Sequence, residues 1–145
     1  MKLLGWKDKM DLPELGLHKV PLKVDTGART SVLHCQFIKL VRRDKELFVK
    51  FKPLDSSFPS FNNEIHVFPF HKESRIKNSF GQEENRFVIN TIIRLYNTDY
   101  PIEISLRDRS NLEFPFLLGR NFVKHKFIID VTQRNLSYKS SRKKI

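Results

Sequence analysis

Apolar residues in this chain alternate, and they almost never recur at helical spacing. Val20, Leu22 and Val24 alternate with Pro21 and Lys23, as in a strand that buries one face. Residues 47–51 read Leu-Phe-Val-Lys-Phe, and 31–40, 65–70, 87–95, 100–106, 114–118 and 127–131 are further apolar runs of strand length. Turn signals separate them at intervals of about eight to twelve residues. They are Arg42-Arg43-Asp44-Lys45, a Pro-, Ser- and Asn-rich stretch at 53–63, Asn97-Thr98-Asp99, and 107–111. Many short strands with frequent turns predict an all-β chain closed, or partly closed, into a barrel. Helix is expected once at most, over 121–125. With 145 residues the chain is long enough for one domain with its own core. We place that domain at 1–132, and 133–145 reads as a tail with five basic residues and no acid. Trp6 is expected to be a packing residue.

Charge narrows the partners less than it first suggests. Lys plus Arg number 27 and Asp plus Glu 16, a formal charge of +11. Such a surface attracts polyanions. An acidic peptide satisfies it as well as a nucleic acid does, and a basic balance also serves solubility alone. The aromatics mostly alternate as core residues do and form no stacking face, so a nucleic-acid partner is not expected. Cys35 is the single cysteine and allows no intrachain disulfide. No stretch approaches the roughly 20 apolar residues of a membrane span. The first ten residues carry too short an apolar run for a secretory signal. A cytoplasmic protein, away from membranes, is the expectation.

One strand ends in chemistry. Asp25, Thr26 and Gly27 follow the Val20–Val24 alternation, and Ala28, Arg29, Thr30 and a second apolar run come next. A carboxylate at the end of a buried strand is costly unless it is hydrogen-bonded or paired. Gly27 is expected to permit a tight turn that a Cβ would resist. Read alone, Asp25 either caps this turn or does chemistry.

The segment resembles the active-site loop of the retropepsin-like aspartic peptidases, in which Asp-Thr/Ser-Gly-Ala follows an apolar strand. A second match lies in the right order along the chain: Phe116-Leu117-Leu118-Gly119-Arg120-Asn121, the apolar-then-glycine motif of that fold's second half. KVDTGARTSVLH over 23–34, Ser79-x-Gly81-x-x-Glu84-x-Arg86 and FPFLLGR over 114–120 are similar to the RimK-related family that carries the name ATP-dependent zinc protease. The resemblance runs from about Gly5 to Val131. It makes the expected barrel an acid-protease barrel with a flap hairpin.

The resemblance implies an aspartic endopeptidase. Asp25-Thr26-Gly27 occurs once, whereas the mechanism uses two aspartates. The second must come from another copy, so a homodimer is expected, with its site on the two-fold axis. Two facing carboxylates cannot both ionise cheaply. One takes a proton from water and the other donates to the substrate carbonyl. The family pattern further implies that Thr26 bonds across the axis, that Gly27 approaches substrate, and that Gly119 lets its strand pass behind the loop. Asn78-Ser79-Phe80-Gly81 falls at the flap position, with Phe80 over the substrate and Gly81 as the hinge. Glu84 and Arg86 lie on one face of a strand and are expected to form a salt bridge that sets the flap.

Arg29 departs from the retroviral pattern, in which an acid occupies its place and pairs with the arginine equivalent to Arg120. Here Arg29 and Arg120 repel. Arg29 either binds a substrate carboxylate or pairs with Glu103 or Asp108. The candidate substrate-binding set is therefore Ala28, Arg29, Thr30, Phe80, Gly81 and Arg120. The family name's zinc finds no ligand pattern: HExxH is absent, and His18, His34, His66, His71 and His125 are scattered. The chain has no Gly-rich phosphate loop. No metal and no cofactor are expected. The family does imply a link to an ATP-grasp ligase that adds glutamates to proteins. The leading reading is thus a homodimeric peptidase acting on an acidic, glutamate-extended protein. The alternative is a non-catalytic module of the same fold that binds acidic segments.

Overall fold

A computed structural model describes residues 1–77, 80–109 and 112–142. Eleven strands dominate these residues: β1 (Lys2–Leu4), β2 (Lys7–Leu12), β3 (Leu17–Asp25), β4 (Ser31–Arg43), β5 (Glu46–Pro53), β6 (His66–Pro69), β7 (Lys72–Lys77), β8 (Glu83–Leu95), β9 (Thr98–Arg107), β10 (Phe116–Gly119) and β11 (Phe127–Ile129). Six of them close a ring in the order β10-β3-β2-β8-β9-β4, with β4 pairing back onto β10. Closure leaves these six strands no free edge. The expected barrel is present.

Alternation builds the interior. Val20 and Leu22 of β3, Leu33 of β4, Ile89 and Ile93 of β8, Ile104 of β9, and Phe116 and Leu118 of β10 are all fully buried and belong to one core. Outside the ring, β5 and β6 extend the sheet from β4, and β7 pairs with β8. β1 and β11 form a separate two-stranded parallel sheet, with Leu3 opposite Ile128.

Two hairpins turn on non-glycine residues in the left-handed region. Asp44 and Lys45, with φ of 48° and 71°, link β4 to β5, and Tyr96 and Asn97, with φ of 54° and 56°, link β8 to β9. Two successive positive φ values match the right-handed twist of the strands they join. The second turn sits one residue earlier than Asn97-Thr98-Asp99 suggested, because Thr98 already pairs with Leu95.

Helix differs from expectation. α1 (Arg120–Val123) lies close to the expected place, but a second helix, α2 (Leu136–Arg142), forms in the basic segment after residue 132. Its cap is distant in sequence. Buried Asp8 on β2 accepts hydrogen bonds from Ser137 N at 2.9 Å and Tyr138 N at 3.0 Å. Tyr96 N donates to the Ser137 hydroxyl at 2.8 Å. A cap supplied from 129 residues away leaves no local signature. None of the helices is long and apolar enough to cross a membrane.

Candidate active site

Asp25 is the last residue of β3, and β10 runs parallel beside it with Gly119 opposite Asp25. On its other side β10 pairs antiparallel with the start of β4. The 26–30 loop therefore leaves one neighbour of β10 and returns on the other. Close packing holds it. A Cβ on Gly119 would stand 2.7 Å from the Thr30 carbonyl carbon, 2.8 Å from Ser31 N and 3.0 Å from the Arg29 oxygen, all backbone atoms. Only a residue without a Cβ fits.

Polar contacts fix the loop further. Gly119 N donates to the buried Ser31 hydroxyl at 2.9 Å. Arg120 N donates to the Ala28 carbonyl at 2.9 Å, and Asn121 N to that of Arg29 at 3.1 Å. The Arg120 guanidinium donates to the carbonyls of Thr26, at 3.3 Å, and Gly27, at 3.1 Å. Gly27 N donates to Asp25 Oδ1 at 3.1 Å, which orients the carboxylate. Gly27 lies in the expected turn, closed by Ala28 N donating to the Asp25 carbonyl at 3.1 Å, and its φ is not positive. What it provides is space: a Cβ there would lie 3.2 Å from Asp25 Oδ1.

Asp25 opens onto a cleft of about 520 Å³. Gly27, Ala28, Arg29 and Thr30 line one side, and Ser74 to Lys77 of β7 form the facing wall. Arg86 of β8 and Arg109, just beyond β9, complete it. Five cations (Arg29, Arg75, Lys77, Arg86 and Arg109) thus share this hollow with the single carboxylate of Asp25. Thr26 is exposed. Phe80, near the tip of the β7–β8 hairpin, is 88% exposed, and Gly81 follows with φ of +78°. Asn78 and Ser79 of the expected flap motif lie outside the described residues.

Of the pairs considered for Arg29, Glu103 is taken by His71 at 2.8 Å and Lys72 at 3.3 Å. Arg29 makes no ion pair among the described residues. The expected Glu84–Arg86 bridge does form, at 3.3 Å, and Glu84 also pairs with Arg107 at 3.3 Å. Arg86 is only 9% exposed, and among the described residues its Nε finds no acceptor; nor does Nε of Arg109. Burial holds both guanidinium groups below their usual pKa, and repulsion from Arg107 adds to it. Glu84 pulls Arg86 back toward its charged form. Asp25 and Glu84 do the same for Arg109.

His34 supports this wall. It is buried, its Nδ1 accepts the Arg109 backbone N–H at 2.8 Å, and its Nε2 therefore donates to Asp55 at 2.7 Å. Both ring nitrogens are committed within the protein. Among the described residues no three His, Cys, Asp or Glu side chains gather where they could hold a metal. Sequence reasoning passed over Arg109 as part of a turn. The available signal was its i, i+2 spacing from Arg107 at a strand end, which aligns the two on one face.

Comparison with known proteins agrees with this architecture. Residues 3–140 match the RimB-like family model, described as retropepsin-like aspartic endopeptidase RimB. Probable alpha-L-glutamate ligases from Desulfotalea psychrophila and Shewanella halifaxensis are 34% and 30% identical over 129 and 134 residues. Those matches cover 89% and 90% of this chain but only 28% and 29% of the ligases. The chain thus spans under a third of the length of these curated relatives. The crystal structure of Lpg0085 from Legionella pneumophila, a protein of unknown function, superposes with a TM-score of 0.73 at 20% identity, covering 94% of this chain and 98% of that one. That likeness speaks to the fold.

Proposed function

The chain belongs to the RimB-like family of retropepsin-like aspartic endopeptidases, and we propose that it hydrolyses peptide bonds in an acidic protein substrate, as a homodimer with one Asp25 from each copy. The observation that carries this reading is Asp25 itself, oriented by Gly27 N in a cleft whose lining includes five cations. In such a dimer the two carboxylates share one proton. The ionised one takes a proton from water as that water adds to the substrate carbonyl. The protonated one donates to the carbonyl oxygen. Collapse of the tetrahedral intermediate breaks the C–N bond, and the nitrogen leaves with a proton. No covalent enzyme intermediate forms.

Thr26 would hold the two loops together across the axis. Gly27, Ala28, Arg29 and Thr30 would bind the substrate backbone and its charge, with Phe80 and Gly81 closing over it. Arg120, which grips the Thr26 and Gly27 carbonyls, would keep the loop in register. Exposed apolar residues support a partner surface: Leu3 and Ile128, opposite one another on β1 and β11, are 37% and 53% exposed, and Val131 is 74% exposed. The ligase names of the relatives support a functional link to an ATP-grasp ligase, and a chain of added glutamates is the acidic substrate such a link would supply.

A peptide carrying a C-terminal run of glutamates tests the reading, with products read by mass spectrometry. Wild-type protein is expected to cut it and Asp25→Asn is not. Equal cleavage by the variant removes Asp25 from the mechanism. Binding by both without cleavage leaves the non-catalytic module instead.

A further inference from the structure

Resting on the peptidase reading above, we propose that Arg86 and Arg109 form a carboxylate-recognising subsite beside Asp25, and that this pair sets a preference for an acidic side chain next to the scissile bond.

The argument starts from two unanswered donors. Arg86 is buried to more than nine-tenths, and both Arg86 and Arg109 line the Asp25 cleft. Nε of each is buried without an acceptor among the described residues. A buried N–H without a partner costs free energy until an acceptor reaches it. The charges are also unbalanced. Arg86, Arg107 and Arg109 repel one another, while Glu84 is the carboxylate within ion-pair distance of Arg86 and Arg107. An incoming anion relieves both deficits at once. Guanidinium groups suit a planar two-oxygen acceptor, because their N–H groups form a rigid fork that matches it.

Position argues for a side-chain carboxylate over a phosphate. Arg86 and Arg109 line the same cleft as Asp25, where the peptidase reading places a peptide and hence its side chains. His34 fixes the Arg109 backbone at 2.8 Å, so the subsite is anchored to the barrel and is not carried on a free surface loop.

The test compares two peptides that differ only by Glu or Gln beside the scissile bond. Wild-type protein is expected to favour the Glu peptide by about tenfold or more in kcat/KM, since a site built to hydrogen-bond one group rejects its absence. In Arg109→Gln this ratio falls to near one. Lys50→Gln, which removes one charge on β5 outside the ring, keeps the wild-type ratio. Arg86→Gln is a second variant, with its fold checked by circular dichroism because Glu84 loses a partner. An unchanged ratio in Arg109→Gln overturns the proposal. If neither peptide is cut, glutarate and inorganic phosphate are titrated against wild type and Arg109→Gln, read by NMR of the arginine Nε–H resonances. Glutarate binding that disappears in the variant upholds the subsite and leaves the peptidase reading to fall alone. Absent glutarate binding, or tighter binding of phosphate, overturns the carboxylate assignment.

Discussion

Replacing Gly119 by alanine inserts one methyl group where β10 passes behind the Asp25 loop. The backbone conformation there, φ −83° and ψ 163°, suits any residue, so the effect is purely steric. The new carbon would stand 2.7, 2.8 and 3.0 Å from three backbone atoms of Arg29, Thr30 and Ser31. Backbone cannot swing aside as a side chain can. Relief requires separating β10 from the loop and loosening the bonds from Gly119 N to Ser31, from Arg120 N to Ala28 and from Asn121 N to Arg29. Overpacking costs about 1–3 kcal/mol in general, and a backbone clash belongs at its upper end, about 3 kcal/mol. For a domain of this size that lowers Tm by roughly 6–12 °C. Gly81→Ala is the contrasting control. Its φ is +78° but nothing lies within 4 Å of the new carbon, so only conformational strain of about 1–2 kcal/mol applies. Urea and thermal unfolding of both variants measure the difference. A cost below about 0.5 kcal/mol at Gly119 would refute the close-approach account of how the loop is positioned.

Three further outcomes are expected. Asp8→Ala removes the acceptor for two N–H groups of α2 and is expected to cost about 1–3 kcal/mol, with faster amide exchange at Ser137 and Tyr138. Burial raises the Asp8 pKa in the folded protein, so the folded chain holds this proton to higher pH than the unfolded one. Its contribution to stability is therefore full below about 3.8 and declines as pH rises through the raised value. Asp55 behaves in the opposite sense: the Ser57 hydroxyl, its backbone N–H and His34 hold its pKa below 3.8, so its contribution is present above that value and is lost as pH falls through the lowered one. Urea midpoints from pH 6 to 2 should show that acid loss in wild type, and a shallower one in Asp55→Asn. Arg120→Ala, which frees the Thr26 and Gly27 carbonyls at an exposed position, should cost about 1 kcal/mol or less in stability yet lower kcat more than it raises KM.

The barrel was legible because alternation is a local property. β5, β8 and β9 announce themselves by apolar residues two apart, and Asp44-Lys45 marks its own hairpin. The Asp25 loop was legible because an acid, a hydroxyl and a glycine at a strand end are unusual company. What escaped was set by contacts distant in sequence. α2 is capped by Asp8, 129 positions before Ser137. The turn at Gly27 was legible from its residue type, whereas its need to leave room for the Asp25 carboxylate was not. Arg109 looked like a turn residue, and its place in the cleft depends on His34, 75 positions earlier. Strand periodicity says which face a residue takes, but it does not say which two faces will meet.

The central claim is that catalysis needs one Asp25 from each of two chains. Mixing tests it most directly. Wild-type protein at fixed concentration and saturating glutamate-extended peptide is combined with rising amounts of Asp25→Asn, after subunits have been allowed to exchange. With a tenfold excess, random pairing leaves only about one wild-type chain in eleven beside a wild-type partner, and the rate is expected to fall to about that fraction. A rate that stays at its starting value throughout the titration would contradict the account, because each chain would then be carrying out the reaction alone.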